Sequence, residues 1–228
     1  MEIRNFLQKL LDFGKQEGYF EETTIGQLKK TCCEHGVTRV IDFDRTKDIV
    51  ISRFDLQTLK SADALKIVPL SHTLDFIELK GFKKFIQYQS QSHEPTGDQV
   101  REKIATFDLV NKIRDSIHIL QTIVFFRQLE LTKKERAVFY QIPKRFIVVI
   151  DIEIEKNPLE LFAVTLSFLS EMSTPIDKQI AGILKTELDK IPDSSLGNIQ
   201  KPQLMSCKSI DEFYAQFDGG TGICAGQS

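Results

Sequence analysis

Glu78 and Lys80 stand two residues apart in the segment LDFIELKGF, and alternation along a strand puts this acid and this ammonium on one face while Ile77 and Leu79 face the other way. Asp75 shares the Ile77 face and falls outside the pair. The preceding apolar segment, ADALKIVPL, begins at Asp63, and the short polar break Ser71, His72 and Thr73 separates the two. Antiparallel pairing would set the start of the first strand beside the end of the second, so the three side chains converge. Two carboxylates within reach repel unless a cation sits between them, and a hard divalent ion with oxygen ligands is the natural occupant. A lysine beside such an ion can orient and help deprotonate water, while the ion offsets charge growing on a phosphate.

The elements that must position these residues are legible in part. Ile3, Phe6, Leu7, Leu10 and Leu11 recur at helical spacing and predict a helix over 3–15, broken by Gly14 and Gly18. A second helix is expected from Thr23 or Thr24 to Gly36. VTRVIDF and DIVISRF, rich in β-branched residues around DRTKD, read as a hairpin. After the two central strands, QYQSQSHEPTGDQ reads as an exposed loop, and the stripe Ile104, Phe107, Val110, Ile113, Ile117, Leu120 and Val124 as one long helix backing the sheet. RFIVVIDIE alternates little, as a strand buried on both faces should. Asn157 and Pro158 open a further helix through LELFAVTLSFLSEM, another runs from Ile176 to about Leu188, and IDEFYAQF is a short amphipathic turn.

Asp63 followed by Glu78-Leu79-Lys80 on the next strand resembles the signature of the PD-(D/E)XK nuclease superfamily, and the order helix, strands, helix, strand is similar as well. The resemblance spans roughly residues 20–155. It implies a restriction-endonuclease-like α/β fold, with a central mixed or mostly antiparallel sheet of four to five strands flanked by helices. It further implies Mg²⁺ or Mn²⁺ held by Asp63, Glu78 and the backbone carbonyl of Leu79, with Lys80 acting on the attacking water. Many members add a glutamate from the helix before the sheet, for which Glu34 is the candidate. Ala62 stands where the family often has proline, and no clear glutamine–tyrosine motif follows, although Gln87, Tyr88 and Gln89 come soon after Lys80, so the branch stays open. The activity implied is metal-dependent phosphodiester hydrolysis on nucleic acid, DNA first. The alternative is a non-enzymatic interaction or regulatory protein on the same scaffold, and a homodimer or protein partner fits either.

Composition bounds these readings. Lys and Arg number 30 against 32 Asp and Glu, a net charge of −2, so no overall field attracts a polyanion and any nucleic acid must be held by a local patch. Lys83, Lys84, Arg101 and Lys103 are candidate phosphate contacts, and equally an ordinary solvated edge. Asp151, Glu153 and Glu155 share a strand face, which strand-end solvation explains. With 41% hydrophobic residues and 17 Phe, residues 1–217 are expected to form one domain with a helical extension from about 157, and the glycine-rich 218–228 a flexible tail. Cys32, Cys33, Cys207 and Cys224 include no pair with the two-residue gap of a zinc loop, so free thiols are expected, and their loose spacing disfavours an iron–sulfur cluster. Without a secretory signal or a run of ~20 apolar residues, the expected setting is cytoplasmic, with no membrane partner.

Overall fold

The computed structural model describes residues 2–90, 95–125, 131–152, 175–191 and 198–217. The expected helix after Asn157, the acidic pair Glu153 and Glu155, Cys224 and the expected tail at 218–228 lie outside the described residues.

Six strands form one open sheet in chain order: β1 (Glu22–Thr24), β2 (Arg39–Asp42), β3 (Ala64–Val68), β4 (Thr73–Lys80), β5 (Lys144–Ile150) and β6 (Gln203–Ser206). The first four run antiparallel, and β5 and β6 join parallel to β4. A parallel neighbour needs a long crossover. Between β4 and β5 it is built from α3 (Lys83–Ser90), α4 (Gly97–Ala105), α5 (Leu109–Phe125) and α6 (Lys133–Gln141). The remaining described helices are α1 (Glu2–Gln16), α2 (Phe43–Phe54), α7 (Pro175–Leu188) and α8 (Cys207–Ala215). The sheet therefore exceeds the expected four to five strands, and the C-terminal extension contributes β6 as well as helices.

Strand alternation sorts the core into two layers. Leu65, Ile67, Leu74, Phe76, Phe146, Val148 and Ile150 meet α1, α2, α5 and α7 on one face. Ala64, Val68, Ile77, Leu79, Ile147 and Val149 meet Ile25, Leu28, Cys33 and the α8 residues Ile210 and Tyr214 on the other. β5 is buried along its whole length, as its unbroken apolar texture predicts.

Several expectations change. No helix spans 23–36: after β1 comes one 3₁₀ turn, Ile25–Gln27, and then an irregular loop held in part by Gly26 N–H donating to Gly36 O (3.0 Å). The expected hairpin is instead β2 running into α2, whose start is capped by the Asp42 carboxylate accepting from Arg45 N–H (3.0 Å) and whose end is Asp55 in the left-handed region (φ 50°). Of the expected loop at 87–99, residues 87–90 close α3 and 97–99 open α4. The long helix is two, α4 and α5, broken where Asp108 takes φ 50°. Gly14 does not end α1. It lies inside the helix, where the Phe20 ring packs so closely that a Cβ would fall 1.9 Å from it, and the chain turns at Gly18 (φ 72°).

An ion pair and a lysine are sealed into these layers. On the α8 face, Arg145 donates from Nε to Asp75 Oδ1 (2.7 Å) and from Nη2 to Asp75 Oδ2 (2.5 Å), and Tyr214 O–H donates to Asp75 Oδ2 (2.8 Å). On the opposite face Lys144 is fully buried, donating to the carbonyls of Phe139 (2.8 Å) and Ile142 (3.0 Å). Burial pushes its pKa down to about 8. The unfolded chain, with lysines near 10.4, then binds the extra proton between these values, so stability rises with pH from about 8 to 10.4 by up to ~3 kcal/mol. Urea unfolding at pH 7 and pH 10 should show this rise in the wild type and not in Lys144→Met. An equal rise in both would assign it to another group.

Candidate active site

The β3–β4 register pairs Ala64 with Ile77, which places Asp63, one residue earlier, opposite Glu78, one residue later. Alternation then puts Asp63, Glu78 and Lys80 on the face that carries Leu65 and Phe76. Asp63 is fixed by Leu79 N–H, which donates to its Oδ2 (2.7 Å). The approach to Asp63 is pinned by α5: Lys60 N–H donates to Asp115 Oδ2 (3.0 Å) and Ala62 N–H to Ser116 Oγ (2.8 Å). Beyond Lys80 the chain turns at Gly81, where a Cβ would stand 3.3 Å from Asp151 Oδ2. Asp151 accepts from Phe82 N–H (2.6 Å) and Lys83 N–H (3.2 Å) at the start of α3. It therefore caps the start of α3, a role that the expected strand-end solvation does not describe.

Glu78 is fully buried. Its Oε1 accepts from Lys112 Nζ (2.6 Å) and forms an ion pair with Lys80 Nζ, whereas its Oε2 is buried without a hydrogen-bond partner. Burial raises the Glu78 pKa, and the charge of Asp63 adds to the effect, against the pull of Lys80 and Lys112. Burial also disfavours the Lys112 ammonium, but the charges of Glu78 and Asp63 outweigh it and raise the Lys112 pKa. Both shifts have one meaning: two carboxylates brought together out of water attract positive charge, whether proton, ammonium or metal.

Beside Asp63 and Lys80 opens a cavity of about 340 Å³, lined also by Leu79 and Lys112, by Asp44 and Lys47 from α2, Lys30 and Lys60 from loops, and Phe107 and Asp108 from the α4–α5 break; Glu78, fully buried, is not part of its lining. Burial opposes ionisation of Asp44, but hydrogen bonds from Ser61 (2.6 Å) and Lys47 (3.0 Å) prevail and lower its pKa. Five lysines thus face three aspartates, making this a locally basic hollow in a chain of net charge −2. A larger hollow of about 540 Å³ near Leu11, Glu22, Arg39 and Lys66 holds none of the three residues, so chemistry and not size selects the site.

The other candidates lie elsewhere. Glu34 is exposed, in a turn of the 28–36 loop and not on a helix, and does not line the cavity, so the helix acid assigned to it has no structural basis; Asp44 on α2 occupies such a position instead. Lys83, Lys84 and Arg101 are exposed outside the cavity, Arg101 paired with Asp98 (2.9 Å), and Lys103 sits over the Phe107 ring. Lys30, Lys47, Lys60 and Lys112 supply the basic wall. Lys112 shares α5 with Arg114 and Asp115, so residue type along that helix did not single it out. Free thiols are not what the structure contains either: Cys33 and Cys207 form a disulfide, and Cys32 alone among the described cysteines is free.

The fold and site thus define a mixed α/β protein with an acid–acid–lysine cluster at the end of two antiparallel strands. No protein-family model, curated protein or solved structure matches the chain. Among the described residues, no helix is long and apolar enough to cross a membrane.

Proposed function

We propose that this chain is a metal-dependent phosphodiesterase acting on nucleic acid, DNA first, on a restriction-endonuclease-like scaffold. The observation that carries the reading is the placement of Asp63 opposite Glu78, with Lys80 on the same face and Glu78 Oε2 buried without a partner. An orphaned carboxylate oxygen beside a second acid fits a hard cation, and the all-oxygen donor set suits Mg²⁺ or Mn²⁺. The antiparallel run β2–β3–β4 followed by a helical crossover to parallel β5 supports the scaffold.

On this reading Asp63, Glu78 and the Leu79 carbonyl hold the ion. When bound, it supplies Lewis-acid stabilisation of charge on the scissile phosphate. Lys80 orients the attacking water, and Lys112, sharing Glu78 Oε1, keeps that carboxylate aimed. Lys30, Lys47 and Lys60 at the rim receive flanking phosphates, giving the chain the local patch its overall charge does not provide. Incubation with plasmid, linear duplex and single-stranded DNA should give cleavage with Mg²⁺ or Mn²⁺ and none in chelator. Undiminished cleavage in chelator would exclude the mechanism.

One observation favours a second reading, a non-enzymatic partner-binding protein on the same scaffold. Two ammonium groups already compensate Glu78 in a fully buried position, as in a structural ion-pair network. Thermal melting separates the readings. A metal site at 100-fold excess over its dissociation constant gains about 2.7 kcal/mol, roughly 5–10 °C for a chain of this size. The gain should shrink as pH falls, because a proton competes for Glu78. A melting point that ignores Mn²⁺ points to the vestigial network.

A further inference from the structure

Three sulfurs from opposite ends of the chain meet behind the candidate active site. The Sγ atoms of Cys32, Cys33 and Cys207 all lie within 4.8 Å of one another. Cys32 Sγ stands 3.9 Å from Cys33 Sγ and 3.7 Å from Cys207 Sγ. Zinc binds thiolate at about 2.3 Å, so the edge of a zinc–thiolate tetrahedron is about 3.8 Å. Two of the three sulfur separations already match that edge, and the third is spanned by the Cys33–Cys207 disulfide.

We propose that in the reduced protein Cys32, Cys33 and Cys207 form a binding site for a single thiophilic divalent ion, with zinc the best fit, and that the disulfide is the oxidised, metal-free form of that site. A dithiol reductant gives two electrons and two protons to the Cys33–Cys207 bond and is itself oxidised to a disulfide. The ion then displaces three thiol protons to water and takes three Zn–S bonds, leaving one position for water. The resulting centre has a net charge of −1. Cys207 opens α8, so the positive end of that helix offsets part of it.

The segments that carry the three sulfurs are tied to one another and to the strand ends. Just past the 28–36 loop, which carries Cys32 and Cys33, the chain is also tied to α8 by Asp211, whose carboxylate accepts from Val37 N–H (3.1 Å) and Thr38 N–H (2.8 Å). Cys32 S–H reaches Val149 O (3.8 Å) on β5, and its Cβ lies 3.5 Å from where a Gly81 Cβ would stand, next to Lys80. The same loop places Lys30 on the cavity rim. An ion here therefore clasps both ends of the chain to the strand ends that carry the acid–lysine cluster. It is distinct from the carboxylate site in position and in ligand hardness.

Cobalt(II) titration of the anaerobically reduced full chain tests this. One equivalent should bind with the sulfur-to-metal charge-transfer absorption of a thiolate site, and zinc should displace it. The same absorption should persist in Asp63→Ala, be lost in Cys32→Ser and Cys207→Ser, and be absent from the oxidised wild type, a comparison that needs no variant to fold. Absence of thiolate–cobalt absorption in the reduced wild type would overturn the proposal. So would retention in both cysteine variants, or a purified protein carrying iron with acid-labile sulfide instead of a single ion.

Discussion

Asp63→Ala and Lys80→Ala should each lower divalent-dependent DNA cleavage by about 10³-fold, the range expected for loss of a charge-stabilising or proton-transferring group. Each removes a different contribution. Without Asp63 the cluster loses the partly exposed carboxylate that Leu79 N–H holds in place at 2.7 Å, and Glu78 alone, already paired with two lysines, cannot draw a hard ion out of its hydration shell. Without Lys80 the ion-binding carboxylates remain, and Lys112 still satisfies Glu78 Oε1, so metal-induced stabilisation should survive while turnover fails. Cleavage assays and Mn²⁺ melting on the same variants therefore separate binding from chemistry. Activity that survives both substitutions would remove the proposed mechanism.

The largest stability effect is expected on the other face of the same strand. Asp75→Ala should destabilise the fold by about 3–5 kcal/mol, because it leaves the buried Arg145 guanidinium uncompensated and Tyr214 O–H without its acceptor. Burial opposes the Arg145 charge, but its bonds to Asp75 outweigh that cost and raise its pKa. Replacing both members, Asp75→Leu with Arg145→Leu, should recover much of the loss, since neither leaves a charge in the core. Urea unfolding measures both. A loss near that of a surface substitution, under about 1 kcal/mol, would show that water reaches Arg145 when its partner is gone.

This contrast between the two faces explains what was legible in the sequence. Period-two alternation put Asp75 apart from Glu78 and Lys80 by counting alone, and the structure gives each face its own polar cluster, α8 closing one and α5 the other. The β3–β4 pairing was legible because a short polar break joins two apolar runs. The α2 helix was not. Ile49, Val50 and Ile51 suggested strand by residue type, although Phe43, Thr46 and Val50 carry the buried helical spacing and Asp42 supplies the cap. That error hid Asp44 and Lys47. The break at Asp108 was masked by an apolar stripe that continues across it, because Phe107 and Leu109 remain buried while the chain changes direction. Its polar anchors, Lys60 paired with Asp108 and Asn111 donating to Asp108 (2.7 Å), come partly from a distant segment and leave no local signature. The cysteines failed for the same reason: spacing rules address local loops, and Cys33 and Cys207 are 174 residues apart.

If Asp63 and Glu78 share a divalent cation, anomalous diffraction from a crystal soaked in Mn²⁺ should show a manganese peak bonded to an oxygen of each carboxylate, with Glu78 Oε2 no longer unpartnered. A crystal in which manganese binds elsewhere or nowhere, with Lys80 and Lys112 still seated on Glu78, would contradict it.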